Sequence, residues 1–349
     1  MSIEIVPFHV GLLPAAAELL ARRHVRDRAA MPLLPARFEQ PKVALAAVRE
    51  AWSKPHASGV AALRDGRLIG YLVGEARFDT LRGRHVWIHL PGYALAEGHA
   101  VALYADLYAA AGPAWLRLGA FDHYVMAPAG DADALAVWFG LSFGQEQAHG
   151  ILSLAGPLPK PAPIPGVTIR RATAADRDTF VDEMSPILRQ HMAGPPVWGV
   201  SLPENVALIR EGFAEMLTDD AARVWIAEGD GGAAESSESG DRAEAGRLLA
   251  YQAYFPAPPA DDNLMVSLTE RTTLLEVAAT RRDARGRGIG RALSAAGLAD
   301  AAAAGFHLCI ADWRTTNIEA ARFWPWLGFR SAACRLVRKI DPRIAWATY

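Results

Sequence analysis

Short branched runs and longer alanine-rich stretches alternate along this chain, and their spacing lays out an expected series of strands and helices. Ile3 to Phe8 predicts a first strand, followed by helices from about Pro14 to His24 and from Pro41 to Trp52. Between Val60 and Gly74 two apolar runs flank Asp65-Gly66, a pair suited to the positive φ values of a tight hairpin turn. A strand at Val86 to Leu90, a helix from His99 to Ala111 and a strand from Trp115 to Asp122 are expected next. Pro157 to Pro165 interrupts the pattern with alternating prolines, which predict a stiff, extended spacer.

After the spacer the pattern starts again. Val167 to Asp176 reads as a strand running into a capped helix that reaches His191, and a further helix covers Pro203 to Leu217. Arg247 to Tyr254, Thr272 to Thr280 and Phe306 to Trp313 read as strands, with an alanine-rich helix at Arg291 to Ala304. Gly229 to Gly246 is polar and rich in glycine and serine, which predicts a disordered hairpin loop, and Pro256 to Asp262 predicts another loop.

Two segments share one spacing. Asp131-x-x-Ala134-x-x-Val137-Trp138-x-x-Leu141-Ser142-Phe143 matches Asn317-x-x-Ala320-x-x-Phe323-Trp324-x-x-Leu327-Gly328-Phe329 throughout, 186 residues further on. That period points to duplicated domains and not to a solenoid. The expected division is 1–156, a spacer at 157–165, and 166–349.

The chemistry concentrates in the second half. Arg285-Gly286-Arg287-Gly288-Ile289-Gly290-Arg291 lies between the strand ending at Thr280 and the alanine-rich helix. The first N–H groups of a helix lack intrahelical acceptors and the macrodipole is positive there, so a strand, glycine turn and helix in this order predict a phosphate cradle. The Walker spacing is absent. A dinucleotide fingerprint would need a third glycine where Leu293 stands, although Asp312, 22 residues after Gly290, could serve as its ribose acid.

Arg285-x-x-Gly288-x-Gly290 together with Asn317-x-x-Ala320-x-x-Phe323-aromatic-x-x-x-Gly328-Phe329 resembles the two linked signatures of the GNAT superfamily of acyl-CoA-dependent N-acyltransferases. The resemblance covers residues 165–340 and implies an α/β (α+β) fold of two tandem domains, each a mixed central sheet flanked by helices. It implies that the amides of Gly286 to Ala292 hold the pyrophosphate of acetyl-CoA, with Arg285, Arg287, Ile289, Arg291, Asn317 and Trp324 around the cofactor. It also implies that the backbone of Ala278, Ala279 and Thr280, in a strand splayed from its neighbour, receives the pantetheine arm. In this family the region around Glu183, His191 and Trp198 commonly lines the acceptor site. Acetyl transfer to a primary amine in a ternary complex needs a proton acceptor, for which Glu276 and then Asp312 are the candidates, Glu276 being placed by strand alternation on the face of Ala278 and Thr280. A strand-end pair between Glu276 and Arg281 is the competing reading. Trp324 stands where many members carry a tyrosine that protonates the leaving thiolate, and indole is no acid; a non-catalytic acyl-CoA-binding protein is therefore the alternative. Pro325 is expected to shorten that helix.

The first half has Pro91-Gly-Tyr-Ala-Leu-Ala-Glu97-Gly98-His99 where the second has its arginine-glycine turn, so it is expected to lack a CoA site. The cluster Arg22, Arg23, Arg26 and Arg28 reads as a solvated helix end. His85 and His89, four apart on a strand, do not form a helical zinc pair, and His123 beside Asp122 reads as a strand-end hydrogen bond. With 36 basic and 38 acidic residues the chain offers no electrostatic case for nucleic acid or a membrane surface. Cys309 and Cys334 supply neither a disulfide framework nor a metal site, and the first residues lack a basic start with a long apolar run. A cytoplasmic monomer or homodimer, acting on small molecules without a metal, is the expectation.

Overall fold

The computed structural model describes residues 2–80, 82–160, 163–199, 202–230, 246–257, 265–266 and 271–347. The loops expected at 229–246 and 256–262 lie mostly outside the described residues. The chain falls into two compact units, but not by a single cut. Unit 1 takes 1–149, 259–267 and 331–349, and unit 2 takes 150–258 and 268–330. This differs from the linear division 1–156 and 166–349, because each unit draws its last strand residues from outside its own half of the sequence.

Unit 1 begins with β1 (Ile3–Pro7), α1 (Leu13–Ala30), α2 (Pro41–Ser53) and the hairpin β2 (Ala57–Arg64) and β3 (Arg67–Asp79). Asp65 and Gly66 both have positive φ, as that turn requires. β4 (Gly83–Ile88) pairs antiparallel with β3, and β5 (Tyr93–Leu95) returns to β3 further along. α3 (Leu103–Arg117), β6 (Asp122–Pro128), α4 (Ala132–Gly140) and β7 (Gly144–Ser153) follow, β7 ending in unit 2. β6 runs parallel to β4 and pairs antiparallel with β13 (Arg330–Lys339), which places the C-terminal strand in this unit.

The strand expected at 115–122 is instead the last turn of α3 and the turn that ends it. Trp115 is fully buried from the helix and closes edge-on against His123, and Gly119 with φ +73° stops the helix, so the strand begins only at Asp122. His123 is buried and bonds Tyr108 Oη and Ala120 O, not Asp122. His89 Nε2 meets Glu75 Oε1 at 2.8 Å, a pair inside the sheet. Nor is the arginine cluster solvated throughout: Arg23 is buried, bonded to Asp27 and to the Tyr93 carbonyl, and Arg28 pairs with Glu39.

Unit 2 repeats the order. β8 (Val167–Arg171) leads through a Thr173–Asp176 capping box into α5 (Arg177–Met192), followed by α6 (Val206–Met216), β9 (Arg223–Gly229) and β10 (Leu248–Pro256). β11 (Thr272–Thr280), α7 (Ile289–Ala303), β12 (Leu308–Arg314) and α8 (Ile318–Leu327) complete it. β8, β9, β10 and β11 are antiparallel neighbours, while β11 and β12 are parallel. Phe180 of α5 and Phe213 of α6 close edge-on against Tyr251 on one face of this sheet, and Leu249, Ala250, Ile289 and Leu293 bring α7 onto the other. On β10, Gln252 donates to Ser294 and accepts from Tyr254, whereas the buried Tyr251 hydroxyl has no hydrogen-bond partner among the described residues.

Candidate active site

The site is built where β11 and β12 part. Their register runs from Thr272↔Leu308 to Leu275↔Ala311 and then stops, so the two strands diverge at Glu276 and Asp312. On the other side of β11, Ala253 pairs with Val277 and Tyr254 with Leu275, leaving Glu276 as the extra residue of a bulge. The alternation that was to orient Glu276 is therefore broken at Glu276 itself. Beyond the bulge Val277 and Ala279 join the core under α5 and α6, so Ala278 and Thr280 turn to the opposite face, half buried.

Glu276 and Asp312 both reach solvent. Burial by surrounding protein, and then the charge of Asp312, raise the Glu276 carboxyl above its ordinary range. Arg281 does not pair with Glu276; its guanidinium takes Glu183 at 3.4 Å and the Leu248 carbonyl at 2.9 Å. Glu183 is thereby committed to holding α5 against the end of β11.

The turn after β11 has the form a bound anion needs. Gly286 and Gly288 take φ values of +76° and +83°, and α7 starts at Ile289 with no side-chain cap on its first amides. The amides of 286, 287 and 288 find no acceptor among the described residues. A Cβ at Gly290 would meet only Thr280 Oγ1 at 3.6 Å and the Phe323 ring at 3.8 Å, ordinary contacts, so the protein alone does not demand glycine there. Arg287 and Arg291 are exposed, Arg291 lying over the Trp326 ring.

Arg285 does something other than wait for phosphate. It donates to the Thr280 carbonyl, to Glu319 at 2.8 Å and to Nδ1 of His191 at 3.0 Å, locking the cradle to α8 and α5. His191 also stands 3.2 Å from Asn317 Nδ2, and Trp198 closes edge-on against it while donating to its carbonyl. Burial, then Arg285 and against the pull of Glu319, lowers the His191 imidazole to about 4, so it is neutral near pH 7. A neutral imidazole has one acceptor nitrogen, so of the donors on Arg285 and Asn317 one is left for another acceptor. Asn317 meanwhile caps α8 by accepting from Ala320 N at 3.2 Å.

His191, Trp198, Asn317 and Arg285 are thus gathered at one place, the cradle at 286–291 beside them and Glu276 with Asp312 at the strand divergence. Glu183 is tied up in a structural pair. Trp324 is buried between Phe323 and Phe329. Pro325 does not shorten α8, which runs to Leu327 and ends at Gly328 with φ +111°. Sequence reasoning missed Glu319, Phe323 and Trp326 as cradle neighbours. Glu319 and Phe323 lie inside the motif that opens at Asn317, but the partners of their side chains come from distant segments.

Unit 2 is thus a mixed sheet whose parallel pair parts beside a glycine turn at a helix start. Residues 202–329, most of them in unit 2, match the model of the acetyltransferase (GNAT) family. Similar solved structures extend the likeness to both units. A GCN5-related N-acetyltransferase from Sphaerobacter thermophilus shares 15% identity with a TM-score of 0.58, over 97% of this chain and 96% of that one. A tandem GNAT protein from the clavulanic acid biosynthesis pathway shares 14% identity with a TM-score of 0.51, over 98% and 99%. A glucosamine N-acetyltransferase region of a fungal multi-domain β-N-acetylglucosaminidase matches at 13% identity and TM-score 0.54, over 96% of this chain and 38% of that one. At these identities the likeness is one of fold: two tandem α/β domains. No curated protein matches the sequence. No helix among the described residues is long and apolar enough to cross a membrane.

Proposed function

We propose that unit 2 transfers an acetyl group from acetyl-CoA to a primary amine of a small molecule, and that unit 1 holds no acyl-CoA. The observation that carries this reading is the cradle at 286–288, with free amides, two left-handed glycines and no side-chain cap, directly after the bulged strand bearing Glu276. Acetyl-CoA supplies the thioester carbonyl that an amine attacks.

The chain's own groups then have distinct tasks. The amides at the start of α7, with Arg287 and Arg291, bind the pyrophosphate. Ala278, Ala279 and Thr280 offer the backbone of a strand that has left its neighbour, so their polar groups can receive the pantetheine arm and polarise the acyl oxygen. Glu276, whose carboxyl is raised above its ordinary range by burial and then by the charge of Asp312, takes the proton an ammonium must lose before it can attack. His191 and Trp198, packed edge-on, form a wall of the acceptor side. The indole of Trp324 gives no proton to the leaving thiolate, which therefore takes its proton from water or from the amine.

The test is release of free thiol from acetyl-CoA with a panel of small amines. Amine-dependent release that falls with Glu276→Gln supports transfer. Acetyl-CoA binding with no release from any amine supports instead the non-catalytic reading that the buried Trp324 raises.

A further inference from the structure

The turn of unit 1 that corresponds to the cradle is not merely blank. It borders an open pocket of about 460 Å3, within the range of small-molecule sites, lined by the end of α1, the segment 95–101 and the start of α4. Its polar lining is mainly acidic: Asp27, Glu97, Asp131 and Asp133 against His99 and one arginine, Arg26, which pairs with Glu97. Asp131 caps α4 through Ala134 N at 3.0 Å and Asp133 sits in its first turn, so the positive helix end is already answered by two carboxylates. The start of α3 offers no amides either. Those of 103, 104 and 105 are taken by the carbonyls of 100, 101 and 102.

The second observation is Tyr104. It is 3% exposed, its ring packed against Tyr93 and Trp138, yet it lines the cavity and its hydroxyl has no hydrogen-bond partner among the described residues. A hydroxyl held this way at the pocket surface is free to accept from a donor inside it. Asp27, 8% exposed, spends one oxygen on Arg23 and also faces the cavity; burial, opposed by Arg23 and reinforced by Asp131, raises its carboxyl above the ordinary range.

We infer that this cavity is a binding site for a small organic ammonium ion, held by Asp27, Asp131 and Asp133 with the Tyr104 hydroxyl accepting from it. The site reverses the charge preference of the cradle in unit 2 and does not depend on what unit 2 catalyses.

The test is calorimetric titration of the full chain with putrescine and spermidine, and with CoA as the anionic probe, in the Gly288→Glu background. Variants are the double substitution Asp131→Asn with Asp133→Asn, in which asparagine still caps α4, Tyr104→Phe, and the exposed control Asp106→Asn outside the cavity. The expected result is one amine bound per chain, weakened at least tenfold by the double substitution, weakened severalfold by Tyr104→Phe and unchanged by the control. Failure of both amines to bind, or equal binding to wild type and the double variant, overturns the inference. So does CoA binding that survives Gly288→Glu and is lost on changing Asp131 and Asp133.

Discussion

The same turn in the two units has opposite chemistry. After β11 the chain runs Arg285-Gly-Arg-Gly-Ile-Gly-Arg291 and leaves amides unclaimed, whereas after β5 it runs through Glu97, Gly98 and His99 into a helix start whose amides are already bonded. The backbone plan is shared to the level of the caps. Asp131 and Asn317 each accept from the amide three residues on, at 3.0 and 3.2 Å. Fold is thus kept by packing and capping, while the charge that each turn presents is set by a few residues. In unit 1 the equivalent of the splayed strand is also closed off, since β5 turns back onto β3 and Tyr71 and Tyr93 donate to carbonyls inside the core.

The sharpest break between the units comes from inserting a carboxylate into each turn. Gly288→Glu is expected to lower kcat/KM for acetyl-CoA more than 100-fold, while Gly98→Glu, at a matching φ of +75°, leaves it within twofold. Steady-state kinetics on the two variants checks this, and equal losses would mean that the units share the donor.

Next in size, Glu276→Gln should cost kcat about 100-fold, the usual scale for a general base, with KM for acetyl-CoA unchanged. Because the Glu276 carboxyl is raised, wild-type kcat should climb with pH through a value above the ordinary carboxylate range, and the variant should lose that limb. The same shift means that folded protein holds this proton more tightly than unfolded protein. Its stabilising contribution is present below the unfolded pKa and is lost as pH rises through the folded one.

The caps should respond alike. Asp131→Ala and Asn317→Ala are each expected to cost about 1 kcal/mol, read as a fall of a few degrees in Tm, while exchanging aspartate and asparagine at either place should cost far less. Unequal responses would show that one of the two also carries ligand-related strain.

The smallest effect concerns acid. His191 in unit 2 and His24 and His123 in unit 1 are each lowered from 6.5 to about 4, burial being the first cause in all three. The unfolded chain binds these protons first, so the stability they lend is full above 6.5 and drains away as pH falls toward 4. His191→Gln and His123→Gln should each flatten part of the acid limb in a denaturation series monitored by tryptophan fluorescence.

Much of this was legible in the sequence. The Asp65-Gly66 hairpin, the order of β11, glycine turn and α7, and the repeat from Asp131 and Asn317 are local signals, and the elements they predict are formed. Other features depend on contacts that no spacing encodes. α3 continues through Trp115 because that ring fits the core, and the bulge at Glu276 arises from pairing with β10. Arg285 looks like a phosphate ligand from its place in the motif, but Glu319 and His191, from far along the chain, take its donors. Arg23 looks solvated until Tyr93 and Asp27 are placed around it.

The central claim is that one turn, in unit 2, binds acyl-CoA. Calorimetric titration of the full chain with acetyl-CoA tests it most directly. The account predicts one equivalent bound per chain and none in Gly288→Glu; two equivalents, or one that survives that substitution, would contradict it.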